Sequence, residues 1–438
     1  MSTTPTTRKK VEHYLKAIEN SNINAFIEVY EDSLTFADAV DTQGGEAGSL
    51  RGMVMSVKNN IAIEGKRLTA ASKMLSNYRA PYTATVVNAL LREGAVIIGS
   101  ANMDEFACGN DNTTSYFGPV KNPLDEERVP GGSSGGSAAS VSASLCDASL
   151  GSDTGGSIRC PSAFTGVVGF KPSYGAVSRY GLADMAMSLD QIGPIAKTVE
   201  DVRKIYKVIR GADQRDTTTL NYVPNDNVEE PKLAVIKELV DASSPEIREA
   251  FEKSLASIDY DVISIPEIGE AVPTYYLNMF AEFSSAMQKY DGVRYGNVGD
   301  LGDDFQSGIA KIRANNLGKE VKRRIMLGTY ITSKEYVDAW YKKALRARAV
   351  LKERLEKSLA TYNALLSPTM PTLPWKIGEK SSPVESYAAD ISTVLANLAA
   401  LPAGSIPNKN LPMSGIQVIS SYGRDMQCLS VMEMLEKK

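Results

Sequence analysis

Residues 131–157 read GGSSGGSAASVSASLCDASLGSDTGGS, two Gly/Ser-rich turns separated by a run of small residues. The segment ASLGSD inside this stretch and the segment VVGF that follows it are typical of buried strands. Gly155 and Gly156 stand side by side in the second turn, where glycine permits backbone angles that other residues avoid and lets a ligand approach closely. The stretch therefore predicts tight turns next to buried strands.

On both sides of this stretch, short apolar runs rich in β-branched residues alternate with segments of helical periodicity. The predicted strands are VMSVKNNIAI, AVIIGS, VVGFKP, LAVIKEL, DVISIP and ALLSPT. The predicted helices are TVVNALLREG, VEDVRKIYKVIRG, SPEIREAFEKSLASI with Ser244 as its cap, one long helix between Ser333 and Tyr362, and a last helix around SYAADISTVLANLAAL. Such alternation predicts an α/β fold in which helices cover a sheet.

The main break in the chain falls at Gly44 and Gly45. Before it, residues 9–42 predict one or two polar helices around the apolar run AFIEVY. After it, no long linker interrupts the alternation. We therefore predict an N-terminal helical arm over residues 1–48 and a single α/β domain over residues 49–438.

Composition and charge exclude several classes of protein. Of the 438 residues, 43% are hydrophobic and 23% are charged, which is typical of a soluble globular protein with a large core. A formal net charge of -4 argues against a surface that binds phosphate backbones by itself. The N-terminus lacks an apolar signal-peptide region, and no apolar run is long enough to span a membrane, so we predict a cytoplasmic protein.

The supply of histidine and cysteine limits the possible chemistry. His13 is the only histidine, and it lies in the charged helical segment KKVEHYLKAIEN. Ser-His-Asp, Cys-His and histidine-ligated metal sites are therefore not expected. The four cysteines, Cys108, Cys146, Cys160 and Cys428, lie far apart, which indicates reduced thiols and no metal site.

Four interpretations of residues 131–157 compete. A flexible linker would not be followed by buried strands. A phosphate-binding loop would need the G-x-x-x-x-G-K-[ST] spacing, which neither turn has, and Asp153 would repel phosphate. A purely structural pair of turns and an acyl-transfer site both stay open at this point.

An acyl-transfer site explains the largest number of residue types. Amide hydrolysis needs a nucleophile, a base and donors aimed at the oxyanion of the intermediate. The backbone N–H groups of Thr154, Gly155, Gly156 and Ser157 are expected to converge as such donors. Ser157 also opens the segment SIRCPSAF, which as a helix would add the positive end of its dipole.

Without histidine, a lysine is the remaining base. Burial lowers the pKa of a lysine until its amine is neutral near pH 7. Lys58 lies within the apolar run VMSVKNNIAI, where a buried charge is costly. The alternative is an ordinary strand-edge lysine that reaches solvent.

The segments SVKNNI, VPGGSSGGSAAS and LGSDTGGSIRCPSAFTGVVGFKPSYGAVSRYGL together resemble the amidase signature family. Within it, the chain is most similar to the A subunits of tRNA-dependent amidotransferases. The resemblance is specific from about residue 49 to 210, looser through EVKRRIMLGTY, and weak in the last forty residues. It implies the amidase signature fold, a central mixed β-sheet covered on both faces by helices.

The resemblance also implies a Ser-cisSer-Lys catalytic set. The lysine motif falls on Lys58, the bridging serine on Ser133 and the nucleophile on Ser157, and Ser152 and Asp153 brace the loop. For members that hydrolyse glutamine, it further implies that Tyr275, Arg324 and Asp390 hold the α-amino and α-carboxylate groups, with the charges paired as expected. The segment from Asn110 to Thr113 departs from the family's Ser/Thr/Glu-containing pattern, so its substrate contacts are not carried over.

The resemblance implies a function and partners. The chain would release ammonia from L-glutamine for B and C subunits that convert Glu-tRNA(Gln) to Gln-tRNA(Gln), or Asp-tRNA(Asn) to Asn-tRNA(Asn). It would hold no cofactor itself, whereas ATP and Mg²⁺ would act in a partner subunit, which would also bind the tRNA. The alternatives are a stand-alone amidase acting on another small amide and a non-catalytic binder with the same fold.

Overall fold

The computed structural model describes residues 6–42, 48–379 and 382–438. Within these residues, eleven strands form one sheet in the order β1-β3-β2-β4-β6-β5-β10-β11-β9-β7-β8. The strands are β1 (Phe26–Val29), β2 (Val54–Lys58), β3 (Val96–Ala101), β4 (Ala148–Asp153), β5 (Val168–Lys171), β6 (Gln191–Ala196), β7 (Leu233–Ile236), β8 (Asp261–Ile263), β9 (Ala364–Pro368), β10 (Ala403–Pro407) and β11 (Gly415–Ile419).

The sheet is mixed, as predicted. Strand β2 runs parallel to both β3 and β4, and β7 runs parallel to β8 and β9. The strands between these two parallel groups pair antiparallel, from β4 through β6, β5, β10 and β11 to β9. Two parallel blocks are therefore joined by an antiparallel centre.

Helices accompany the sheet along the chain. They are α1 (Thr7–Glu19), α2 (Ser33–Thr42), α3 (Thr85–Arg92), α4 (Gly135–Ser142), α5 (Arg159–Thr165), α6 (Val199–Ile209), α7 (Lys237–Asp241), α8 (Pro245–Leu255), α9 (Ala271–Ala286), α10 (Phe305–Asn316), α11 (Lys319–Ile331), α12 (Tyr341–Leu359), α13 (Pro383–Ala388), α14 (Val394–Leu398) and α15 (Asp425–Lys437).

Both faces of the sheet are covered, because alternate residues of one strand enter different apolar clusters. In β7, Ala234 and Ile236 join a cluster that contains residues of α9, α11, α12 and α14. Leu233 and Val235 join a second cluster, which contains residues of α3, α6, α8 and α15. This alternation is the side-chain period of a strand buried on both sides.

Three predicted elements differ from the structure. Strand β7 ends at Ile236, and the predicted strand residues after it begin α7. The long helix begins at Tyr341 and not at Ser333, because the apolar side chains of Tyr336 and Trp340 stay exposed and give that segment no face to bury. The last predicted helix is two helices, α13 and α14, and the segment between them makes contacts in the site described below. The elements that were not predicted are strands β6, β10 and β11 and helices α4, α9, α10, α11 and α15.

The predicted arm contains a strand as well as two helices. The run AFIEVY forms the edge strand β1, which pairs antiparallel with β3. His13 is exposed on α1. Gly44 and Gly45 lie outside the described residues, and the division into an arm and one domain stays a prediction.

None of the four cysteines, all of which the structure describes, is in a disulfide bond. Cys108, Cys146, Cys160 and Cys428 are buried and free. Over the described ranges, no helix has both the length and the apolar character to cross a membrane. In the same ranges, no three His, Cys, Asp or Glu side chains cluster as metal ligands would.

Candidate active site

The ends of two adjacent parallel strands bring the predicted catalytic residues together. Lys58 is the last residue of β2, and Asp153 is the last residue of the neighbouring β4. Ser133 lies in the turn before α4, where the peptide bond between Gly132 and Ser133 is cis. Ser157 lies in the turn between β4 and α5.

Lys58 is fully buried among hydroxyl groups. Its Nζ lies 2.8 Å from Oγ of Ser133, 2.9 Å from Oγ of Ser152 and 3.3 Å from the Ser152 carbonyl oxygen. A neutral amine has two N–H donors and one lone pair. These three neighbours match that inventory if the two oxygens of Ser152 accept and the Ser133 hydroxyl donates.

The pKa of Lys58 is lowered to about 7, chiefly by burial, although Asp104, Asp153 and Asp190 oppose this effect. The amine therefore loses its proton near neutral pH. The alternative of a strand-edge lysine that reaches solvent is excluded by its complete burial.

The turn that carries Ser157 is tied to the turn that carries Ser133. The N–H of Ser134 donates to the Ser157 carbonyl oxygen at 3.2 Å, and the Ser134 hydroxyl donates to the Ser152 carbonyl oxygen at 3.0 Å. Among the described residues, no hydrogen bond joins the hydroxyls of Ser133 and Ser157. The relay between these two serines stays a prediction.

Asp153 braces the Ser157 turn from inside. Its carboxylate accepts the N–H groups of Gly156 at 2.9 Å and Ile158 at 3.0 Å, and it forms a two-point ion pair with Arg159. Burial would raise the pKa of Asp153, but the Arg159 guanidinium outweighs it and lowers the pKa to about 2. The turn is therefore held by a permanent carboxylate.

The role of Asp153 changes the predicted set of oxyanion donors. Because Gly156 gives its N–H to Asp153, that group points away from a substrate. The N–H groups of Gly155 and Ser157 have no partner within the described part of the chain. These two N–H groups, with that of Thr154, are the remaining candidates for an oxyanion site.

Neither glycine of this turn tolerates a side chain. A Cβ on Gly155 would lie 2.4 Å from the ring of Tyr275. Gly156 has a φ of +134°, and a Cβ there would lie 2.4 Å from the Thr393 hydroxyl, which donates to the Gly155 carbonyl oxygen. The turn therefore needs glycine both for close approach and for its backbone angle.

The turn and the predicted substrate residues line one small pocket. Its walls are Ala107, Gly109, Asn110, Gly132, Gly155, Gly156, Ser157, Met185, Tyr275, Tyr276, Arg324 and Asp390. The centre of a water molecule can reach only about 10 Å³ of this space. The pocket in this conformation therefore has room for about one water.

Opposite charges lie at separate places in the pocket wall. Asp390 accepts the Tyr276 hydroxyl at 2.7 Å and the Asn110 amide at 3.2 Å, and burial raises its pKa to about 6 despite these two hydrogen bonds. Arg324 is buried and pairs through Nε with Glu320 at 2.9 Å, while its Nη1 faces the sulfurs of Met185 and Met279. A buried carboxylate and a guanidinium whose Nη1 contacts thioether sulfurs, which are weak acceptors, suit an ammonium and a carboxylate.

Three contributing residues were missed from the sequence. Tyr276 and Asn110 hold Asp390, and Asp190 accepts the Thr154 hydroxyl at 2.6 Å beside the Ser157 turn. Burial raises the pKa of Asp190 to about 7. The motif MSLDQIGP gave a signal for Asp190, since an acid stands there before a buried strand, whereas nothing in the sequence separates Tyr276 from its neighbour Tyr275.

Comparisons with known proteins show the family to which this chain belongs. The sequence profile of the amidase family matches residues 9–429, farther toward the C-terminus than the motifs indicated. The chain is 44% identical to the A subunit of glutamyl-tRNA(Gln) amidotransferase from Methanocaldococcus jannaschii, over 98% of this chain and 99% of that protein. It is 47% identical to the protein of the same name from Archaeoglobus fulgidus, over 94% and 92% of the two chains.

The fold has a solved relative of the same name. The crystal structure of the glutamyl-tRNA(Gln) amidotransferase A subunit from Thermotoga maritima superposes with a TM-score of 0.80 at 40% identity, over 97% of this chain and 90% of that one. With the buried lysine, the two serine turns and the near-complete alignments, the chain belongs to the amidase family, in the group of the glutamyl-tRNA(Gln) amidotransferase A subunits.

Proposed function

We propose that this chain is the glutamine-hydrolysing component of a tRNA-dependent amidotransferase. The observation that carries the proposal is the contact of 2.8 Å between the buried Lys58 amine and the Ser133 hydroxyl, beside the Ser157 turn. The pocket next to this contact offers Asp390 and Arg324 for the charged groups of an amino acid.

The reaction begins with proton transfer. Neutral Lys58 takes the Ser133 hydroxyl proton while Ser133 takes the proton of Ser157, and Oγ of Ser157 attacks the side-chain carbonyl carbon of glutamine. The N–H groups of Gly155 and Ser157 stabilise the oxyanion. When the C–N bond breaks, the proton returns through Ser133 to the leaving nitrogen, which departs as ammonia and leaves a glutamyl ester on Ser157.

Hydrolysis of the ester completes the cycle. Water gives a proton to the same relay and attacks the ester, which releases glutamate and restores the Ser157 hydroxyl. The ammonia passes to partner B and C subunits, which hold the tRNA and use ATP with Mg²⁺ to activate the misacylated residue. The names of the relatives support a partner, since each is called a subunit of an amidotransferase.

The nucleophile is tested by replacing Ser157 with Ala in the assembled complex. We expect glutaminase activity to fall by about 10⁴-fold or more, with retained melting temperature, because the acyl-enzyme cannot form. Retention of more than a few per cent of the activity would refute the mechanism. Fluorophosphonate labelling of the wild-type chain, lost in the variant, is the independent readout.

The substrate is tested at Tyr276. The Y276F variant keeps the ring but removes the hydrogen bond to Asp390, so we expect KM for glutamine to rise about 3- to 10-fold with little change in kcat. A simple amide without an α-amino group should show no such change. Equal losses for both substrates would favour a stand-alone amidase of another specificity.

A further inference from the structure

Four exposed apolar side chains lie on α11 and in the segment before α12. Met326, Tyr330, Tyr336 and Trp340 are 72%, 50%, 38% and 46% exposed. Met326 and Tyr330 are one helical turn apart, the rings of Tyr330 and Tyr336 lie 4.3 Å apart, and the N–H of Trp340 donates to the Tyr336 carbonyl oxygen. We call these four residues the docking stripe.

The stripe has the composition of an interface core. Trp, Tyr and Met are enriched where proteins bind each other, and Trp and Tyr dominate the binding energy of such surfaces. Scattered exposed apolar residues are ordinary, but here four large ones lie within fifteen residues of the chain, and the rings of two of them contact each other.

The surroundings of the stripe are positively charged. Between Ser333 and Val350 four exposed basic residues face two exposed acidic ones, whereas the whole chain has a net charge of -4. The fifth basic residue, Arg348, is turned inward and donates to Ser188 and Leu398. Lys334, Lys343 and Arg346 are exposed and form no ion pair with any described residue. Such a border complements a partner with acidic side chains around an apolar centre.

The stripe also lies on the outer side of a wall of the pocket. The inner side of α11 presents Arg324 to the pocket and Gly328 to α9, the helix that carries Tyr275 and Tyr276. The packing there is close, since a Cβ on Gly328 would lie 2.0 Å from the Phe280 carbonyl oxygen. A protein bound to the stripe would press on the helix that holds Arg324.

We propose that the docking stripe is the surface on which a partner subunit with an apolar contact face and acidic border binds this chain. For the identity of that partner, the inference rests on the proposed function. The partner's contact then fixes α11 against α9, and so fixes the pocket wall that holds the substrate carboxylate.

The experiment measures binding of purified B and C subunits from the same organism to the full chain. Tyr330→Glu places a negative charge at the centre of the stripe, and we expect Kd to rise by at least about 30-fold. Lys343→Glu should raise it about 3- to 10-fold and weaken its salt dependence. The matched control is Phe36→Glu on α2, because Phe36 is 51% exposed and lies on a different helix, and Kd should stay within about 2-fold.

Each result bears on the stripe. Unchanged binding by the Tyr330 variant, or no binding by the wild-type chain, overturns the inference. Dimerisation of the wild-type chain that Tyr330→Glu abolishes would assign the stripe to self-association, and tRNA binding lost in Lys343→Glu would assign it to nucleic acid. Fluorophosphonate labelling of Ser157 in every variant tests the proposed chemistry separately. A loss of partner binding can then be distinguished from a failure of that chemistry.

Discussion

Two buried lysines are the last residues of strands in the same sheet, Lys58 in β2 and Lys171 in β5. Both are fully buried, and burial lowers the pKa of each to about 7. Their partners differ. The amine of Lys58 lies among serine hydroxyls, whereas that of Lys171 donates to the carbonyl oxygens of Pro172 and Leu401.

This difference shows that a lowered pKa is not sufficient for a base. A carbonyl oxygen can accept a hydrogen bond but has no proton to give, whereas a hydroxyl can do both. Lys58 is therefore placed for the proposed proton relay, whereas Lys171 ties β5 to the segment before β10. The partners of a titratable group, rather than its pKa alone, identify the catalytic one.

The largest expected effect is on activity. Replacing Lys58 with Met should lower kcat/KM for glutamine by about 10³- to 10⁴-fold, because no other base contacts Ser133. Replacing Lys171 with Met should leave kcat/KM within about 3-fold in protein that stays folded by circular dichroism. Steady-state kinetics on both variants checks the contrast, and similar losses in the two would contradict it.

A smaller effect is expected on the pH profile. Below about pH 7 Lys58 is protonated and has no lone pair, so kcat/KM should rise with pH up to about 7 and then level off. Ser152→Ala removes a hydrogen-bond acceptor that stabilises the charged form of the Lys58 amine. The pKa of Lys58 should therefore fall, and the rise of kcat/KM should move to lower pH. The rise of kcat/KM with pH should keep its position in Lys171→Met. A shift in that variant would contradict the distinction between the two lysines.

The smallest effect concerns stability, where the two lysines should be alike. Each has a pKa of about 10.5 when unfolded and about 7 when folded, so the unfolded chain binds more protons between these values and stability rises with pH across that window. Removing either lysine should reduce this slope by up to about 1.4 kcal/mol per pH unit. Urea denaturation at pH 7.5 and 9.5 measures how the free energy of unfolding changes with pH. Unequal changes in the two variants would contradict the prediction.

The sequence was most informative where chemistry depends on neighbours along the chain. The GSDTGGS turn indicated acyl-transfer chemistry and SVKNNI offered a lysine as its base, but the roles of the individual residues came from the resemblance to the amidase signature family. The donors to Asp390 escaped prediction because Asn110 and Tyr276 lie 280 and 114 positions from it and meet it only in the folded chain. The hydrogen bond from the Gly156 N–H to Asp153 also depends on the conformation of the folded turn, so residue types alone do not predict it.

The same reason explains the errors in the fold. Tyr336 and Trp340 match a helical period, but the period does not say whether a face meets the core or the solvent. Strand β10 is short and contains Gly, Ser and Pro, so its pattern is weak. Strand β11 is equally short, and the two strands pair with each other between β5 and β9.

The near absence of free space beside Ser157 has a consequence for turnover. An amino acid is many times larger than the water that fits there, so the wall formed by Tyr275, Met185 and Arg324 has to move outward from this conformation before one can bind. Entry of the substrate past this wall is therefore a step at which the reaction rate can be regulated without altering the reacting groups.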